Sequence, residues 1–461
     1  PYASTQTAPG HASLVTGVTP AIHGIVANSV FDPALGSRRT VDDRTHAVLG
    51  NPSRFVSPSQ LRAPTVGDAL AEATQGKARI VGLSMKARSA ALSVGKKATA
   101  VVFYDTVAKG MTTSTYYSPR RQLPEWLRDF NRANPVEPLL QTWEPEDPVR
   151  WERHFGPDAR PGEMYPEFPH DPREAEDPFY AFSGTPESSE YLLAAAYAVV
   201  KAERMGLDEV PDLLVLGVSG TDIVGHVWGA RSWEYADKLA RIDRALTRFS
   251  QLLEKRGPVA FVLTADHGVA DMPEQAETEG GSGGRLQGRM LVDAAEQAAD
   301  QALGEGDWIA GYVSPLMTYT ARGKSRREDL LQALREAMPK IAGVRAVYDA
   351  SQAQALRASK SEVERLIGAT LPDPAPGDLY LLPEPGWFDA IAPDAGTNHG
   401  TPWDYDRQVP VMIWGAAVER RTSKEAQNAL DVAATLCALL GIPTPEAARQ
   451  SPLPGVMLLP D

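Results

Sequence analysis

Two short apolar runs in this chain each stop at an acid followed by a histidine, and that repeated pattern narrows the possible folds more than any other feature. Val259 to Leu263 is a brief apolar run after the turn signal Gly257-Pro258, which predicts a buried strand of a parallel sheet, and it ends in TADHG, with Asp266 and His267. Leu213 to Val218 predicts an earlier strand, followed at once by SGTDIVGH. There Asp222 and His226 stand four apart, on one face if the segment is helical. Between the two runs Leu239, Ile242, Leu246, Phe249 and Leu253 step by three and four, the pattern of a helix packed on a sheet. Strand, acid-histidine loop, helix, strand, acid-histidine loop predicts an α/β fold with both pairs at the carboxyl-end edge of one parallel sheet, where ligands bind. A carboxylate oxygen beside an imidazole nitrogen suits Zn²⁺. Each pair taken alone reads equally as a local ion pair or a turn with a solvated acid.

The start of the chain supplies different chemistry. Ser4, Thr5, Gln6 and Thr7 run into Ala8-Pro9, and Ala12, Leu14 and Val15 continue as a short helix with Pro9 in its first turn. Thr7 then sits at a helix N-terminus, where the dipole favours an anion or an alkoxide, although an ordinary threonine cap has the same appearance. Asn28 follows Ile25, Val26 and Ala27, and its amide either donates to a bound oxygen or closes a turn. A helix is predicted between Pro64 and Gly76 and a strand at Arg79 to Leu83, after which Lys86 and Arg88 stand two apart. On an extended chain both point to one face, as a clamp for a doubly charged phosphoryl group or as a solvated strand end.

Composition matters for what it excludes. A net charge of −13 and a pI near 5.2 argue against non-specific nucleic-acid binding, so any cations that hold an anion must be local. No apolar run approaches the length of a membrane span. Cys437, the single cysteine, falls in an apolar helical pattern and reads as a buried, inert thiol. Residues 105–187 are rich in proline and tryptophan with little periodicity, which predicts a loop-rich insertion over the site; His154 and His170 within it read as surface histidines. Residues 285–375 alternate helical and strand patterns, with a helix around Leu330, Leu331 and Leu334 and a strand from Val344 to Tyr348, and predict a small α/β insertion. The core is then expected to resume with GDLYLLPEPGWF. His399, in NHG before a strand from Val409 to Trp414, is the natural further ligand for the two pairs.

Taken in order, TAPGH, AIHGIVAN, SMKARSAAL, TSTYY with LPEWLRDFN, SGTDIVGH, TADHG and NHG with YDRQVP resemble the alkaline phosphatase superfamily across nearly the whole chain. The resemblance is to its bacterial phosphate-monoester hydrolases with a threonine nucleophile, relatives of nucleotide pyrophosphatase/phosphodiesterases. It implies a single catalytic domain over 1–461, an α/β sandwich around a large, mostly parallel sheet, with two zinc ions at the sheet edge. It implies that Asp222, His226 and His399 hold one zinc and Asp266 and His267 the other. Thr7 would be the nucleophile, with Asn28, Lys86 and Arg88 on the phosphoryl oxygens. It further implies small-molecule phosphate esters as substrates and a periplasmic or secreted location, and leaves the oligomeric state unknown.

One feature departs from the family. Its members supply a further aspartate to the second zinc from a strand upstream of the nucleophile, and no acid precedes Thr7 here. The expectation is a chain lacking its N-terminal first strand; otherwise a ligand has been lost, and Asp266 with His267 alone would bind zinc weakly, since catalytic zinc keeps three protein ligands. Phosphomonoester hydrolysis through a phosphothreonine is the leading functional expectation. The alternatives are a phosphodiesterase or nucleotide pyrophosphatase on the same scaffold, and a metal- or phosphate-binding protein without turnover.

Overall fold

The structure, a computed structural model, describes residues 1–456. A four-stranded sheet forms the first half of the core. It contains β1 (Ile80–Ser84), β2 (Ala100–Asp105), β3 (Gly110–Thr112) and β4 (Leu213–Gly217), in the order β3-β2-β1-β4. β1 runs parallel to both β2 and β4, and β3 is antiparallel to β2. Every residue of β1 and β2 is buried, as expected of strands covered on both faces. Helices α1 (Thr7–Thr16) and α2 (Ala87–Leu92) lie on one face, where Ala8, Ala12, Ala90 and Leu92 pack with Ile80 and Phe103. On the other face α3 (Pro186–Ala202) packs Leu192, Ala196 and Val199 with Val81, Leu83 and Val102. The helix predicted between Pro64 and Gly76 is present as Val66–Ala73 and opens with a reciprocal box in which Thr65 and Asp68 satisfy each other's backbone N–H groups.

The expectation of one large parallel sheet is corrected. β5 (Ala260–Thr264) pairs antiparallel with β10 (Val411–Gly415), and no ladder joins it to β4 among the described residues. Phe261 and Trp414 stack across this pair with ring centroids 4.9 Å apart. A short apolar run has no directional information, and the partner of β5 comes from much later in the chain, so its sense of pairing was not readable locally. The middle of β4 and all of β5 are only half-buried, consistent with two separate small sheets.

Residues 105–187 contain β3 and several short helices, held by aromatic contacts. Trp143 is 2% exposed, packs edge-on against Phe168 and Trp228, and donates from Nε1 to Asp237 at 2.8 Å. His170 is not a surface histidine. Its Nε2 lies 2.7 Å from Glu234 Oε1, and burial pushes its pKa down to about 4. His154 is exposed. The later insertion forms a four-stranded sheet of β6 (Ile309–Val313), β7 (Leu316–Tyr319), β8 (Val344–Asp349) and β9 (Leu379–Pro383), in the order β6-β7-β9-β8. This corrects the expected return to the core at GDLYLLPEPGWF, because β9 is an inner strand of the insertion's own sheet. Its alternating Leu379 and Leu381 fill the insertion's core, while Tyr380 and Leu382 pack beneath Ala3 and Val26. Cys437 is buried, and burial pushes its thiol up to about 12. No helix of the described residues is long and apolar enough to cross a membrane.

Candidate active site

Helix α4 (Gly220–Trp228) begins directly after β4 and carries Asp222 and His226 one turn apart. It is joined to α5 (Trp233–Glu254), which contains the predicted Leu239-to-Leu253 stripe and buries Ile242 and Phe249. From α4 the Asp222 carboxylate faces three imidazoles. His226 Nε2 is 3.5 Å from Oδ2, while His399 Nε2 and His267 Nε2 are 3.3 and 3.6 Å from Oδ1. Asp222, His226 and His399 offer ligand atoms that all lie within 4.8 Å of one another. His267 stacks on His399 with centroids 3.5 Å apart, and its Nε2 is also 3.3 Å from Asp266 Oδ2, so the two acid-histidine pairs form one continuous group.

The hydrogen bonds behind these rings decide what they can bind. Nδ1 of His226 meets the Thr397 carbonyl at 2.9 Å, Nδ1 of His399 the Thr5 carbonyl at 2.7 Å, and Nδ1 of His267 the Gly268 carbonyl at 2.9 Å. A carbonyl only accepts, so each Nδ1 carries a proton, and Nε2 is the nitrogen that each ring can offer to a cation. Burial pushes His399 down to about 3, with the neighbouring His267 adding to the effect, so this ring is neutral. Three Nε2 atoms therefore converge on one carboxylate, a donor set that suits a cation. Backbone carbonyls fixing the tautomer of ligating histidines are the usual support of a metal site. Lys86 Nζ rests on Asp222 Oδ2. Burial raises the Asp222 carboxyl, but the ammonium and the imidazoles outweigh it and hold it well below the usual carboxylate range.

Thr7 is the first residue of α1, with Gln6 in the cap position. Its side chain does not cap the helix: Oγ1 lies 3.4 Å from His267 Nε2. α1 is brought this close by Gly10, where a Cβ would lie 2.6 Å from Asp266 Cβ, so only glycine permits the contact. Gly268 is equally constrained by the Tyr405 carbonyl, 2.0 Å from where its Cβ would be. Asn28 accepts the Ala8 N–H on Oδ1 at 2.8 Å, which leaves its NH₂ as the free end.

Lys86 and Arg88 do reach the site, but not along an extended strand. β1 ends at Ser84; Lys86 is the cap residue of α2 and Arg88 lies in its first turn. Arg88 Nε is buried without a hydrogen-bond partner, and its charge is balanced at a distance by Asp222 and Asp266. A buried guanidinium nitrogen left without a partner is a group that an anion would satisfy.

Two residues of the candidate site were not singled out from sequence. His11 lies one turn after Thr7, with Nδ1 2.9 Å from Ser93 Oγ and Nε2 3.6 Å from Asp266 Oδ2. Its spacing of four from Thr7 was the available signal. Asp406 Oδ2 accepts from Gly400 N at 3.0 Å, from Thr401 N at 2.8 Å and from Thr5 Oγ1 at 3.3 Å, while its backbone carbonyl takes Gly268 N–H at 2.8 Å. It thereby ties together the segments bearing Thr7, His399 and His267; the available signal was its place in YDRQVP.

Residues 1–401 match the family described as type I phosphodiesterase / nucleotide pyrophosphatase. The chain belongs to that family, within the alkaline phosphatase superfamily. Among curated members of the superfamily, alkaline phosphatase PhoV of Synechococcus elongatus is 29% identical over 97% of this chain and 83% of its own. Alkaline phosphatase PafA of Elizabethkingia meningoseptica is 28% identical over 99% of this chain and 86% of its own. A crystal structure of wild-type alkaline phosphatase PafA superposes with a TM-score of 0.91 at 27% identity, covering 99% of this chain and 90% of that one. A solved PafA variant carries substitutions at a threonine, an asparagine, a lysine and an arginine.

Proposed function

We propose that this chain is a zinc-dependent phosphate-monoester hydrolase that works through a phosphothreonine at Thr7. The observation that carries the reading is the pairing of a threonine hydroxyl beside His267 with the partnerless Nε of Arg88, next to the Asp222, His226 and His399 cluster. Two further points support it. Relatives of this chain bear the name alkaline phosphatase, and the threonine and asparagine substituted in the solved variant are separated as Thr7 and Asn28 are, its lysine and arginine as Lys86 and Arg88 are.

Zinc ions held by Asp222, His226 and His399 and by Asp266 and His267 would supply the positive charge that favours the Thr7 alkoxide and the leaving oxygen. The protein's own groups do the rest. The N-terminus of α1 adds a dipole that favours the deprotonated Thr7. Thr7 Oγ attacks phosphorus, the ester P–O bond breaks, and the departing oxygen takes a proton. Water then attacks the phosphothreonine, releasing inorganic phosphate and restoring the hydroxyl. Through both steps the Arg88 fork and the Asn28 NH₂ face the non-bridging oxygens, and Lys86, which a cation on Asp222 would displace, would be the second positive charge.

The family description itself favours a second reading, phosphodiester hydrolysis on the same residues. Turnover of an aryl phosphate and of a bis-aryl phosphate by the zinc-loaded protein separates the two. A faster diester reaction would replace the proposal, and zinc binding without turnover of either ester would leave only a binding protein. A periplasmic or secreted location belongs to the same proposal, and cell fractionation tests it.

A further inference from the structure

Gln6 immediately precedes Thr7 and is 8% exposed. It occupies the cap position of α1, yet its side chain makes no capping bond. Both of its polar ends are used elsewhere. Oε1 accepts the backbone N–H of Asn28 at 2.7 Å, and Nε2 donates to the Ser314 carbonyl at 3.3 Å, in the connection between β6 and β7. Asn28 in turn takes the Ala8 N–H on Oδ1. A continuous set of bonds thus runs from the later insertion through Gln6 and Asn28 into the first turn of α1. Gly400, next to His399, closes over the same side chain, since a Cβ there would lie 3.4 Å from Gln6 Cγ.

We propose that Gln6 is the positioning residue for Asn28. By holding the Asn28 backbone while α1 holds its Oδ1, Gln6 sets the direction of the remaining NH₂. An amide stabilises a developing phosphoryl charge only when its N–H is already aimed at the oxygen, so loss of aim costs rate without any loss of a substrate contact by Gln6 itself. The bond to Ser314 makes the insertion a structural support of the phosphoryl site, although none of its residues touches Thr7 in the contacts described above. This inference rests on the phosphatase reading.

The test is a double-mutant cycle of Gln6→Met and Asn28→Ala in the zinc-loaded full chain, reading kcat/KM on an aryl phosphate, inhibition by inorganic phosphate, and zinc content. Gln6→Met keeps the volume and removes both hydrogen bonds. It is expected to lower kcat/KM by about tenfold and to weaken phosphate inhibition when Asn28 is present, but to change either by less than about twofold in the Asn28→Ala background, with zinc content unchanged. The same cycle with Gln6→Ala covers the case in which methionine is not accommodated. Equal losses with and without the Asn28 side chain, or no loss at all, would overturn the positioning role while leaving the phosphatase reading intact. A wild-type chain inactive on the aryl phosphate would instead overturn the reading beneath it.

Discussion

Replacing Arg88 by alanine is the most informative single change. Its Nε is buried with no hydrogen-bond partner, so the protein loses no internal hydrogen bond there when the side chain is removed, and the effect on turnover reports on the bound phosphoryl group. Truncating one partner of a desolvated charge pair costs about 2–5 kcal/mol. At about 1.4 kcal/mol per tenfold, that is a loss of roughly thirtyfold to several thousandfold in monoester kcat/KM. A diester presents one negative charge and two non-bridging oxygens where a monoester presents up to two charges and three oxygens, so the diester loss should be distinctly smaller. Arg88→Lys restores the charge without the planar fork and should recover only part of the deficit. The assay is kcat/KM on an aryl phosphate and a bis-aryl phosphate, alongside zinc content. Equal losses on both substrates, or loss of zinc, would refute the assignment of Arg88 to the phosphoryl oxygens. Lys86→Ala is a poorer probe, because Lys86 also pairs with Asp222 before metal binds, so its loss changes metal binding as well as the phosphoryl contact.

Three further outcomes are expected. Thr7→Ala should abolish labelling of the protein by a phosphate ester and leave secondary structure unchanged; retained labelling would move the nucleophile to another hydroxyl. A chelator should remove activity, and on titration with zinc the first equivalent should fill the Asp222, His226 and His399 set, whose atoms already converge; Asp222→Asn should then bind less metal by elemental analysis, and unchanged binding would reject that set. His23, away from the site, accepts from Ile25 N–H at 3.1 Å and lies 2.9 Å from Ser13 Oγ, and burial pushes it down from its ordinary 6.5 to about 3. The unfolded chain therefore binds a proton at higher pH than the folded one. The stability due to neutral His23 is complete above about pH 6.5 and is lost as pH falls toward 3, by up to about 1.4 kcal/mol per pH unit. His23→Gln should flatten urea-unfolding stability between pH 7 and 5, and an unchanged slope would refute the assignment.

Much of the site was legible because its residues stand at the ends of short apolar runs. An apolar strand cannot continue through Asp222 or Asp266, so the chain itself marks where each strand stops and a polar group begins. The four-residue spacing of Asp222 and His226 settled their common face once the segment was helical, and Thr7 before Pro9 marked the start of α1. Other features depended on partners distant in the chain. Lys86 and Arg88 meet through a helix start rather than an extended strand, a choice made by the packing of Ala90 and Leu92 in the core. His170 meets Glu234 from α5, and Asp406 and Gln6 each join near neighbours to a segment far away in the chain, Thr5 and Ser314 respectively.

The sequence by itself thus determined which residues carry charge, lone pairs and hydroxyls, and at which breaks in the hydrophobic pattern they stand, because periodicity and turn chemistry act over a few residues. Only the tertiary structure decided that β5 pairs with β10 and not with β4, that β9 belongs to the insertion, and that three imidazoles turn their Nε2 atoms toward one carboxylate. Strand pairing and ring orientation are set by which backbone groups across the molecule remain to be satisfied, and no local stretch contains that information.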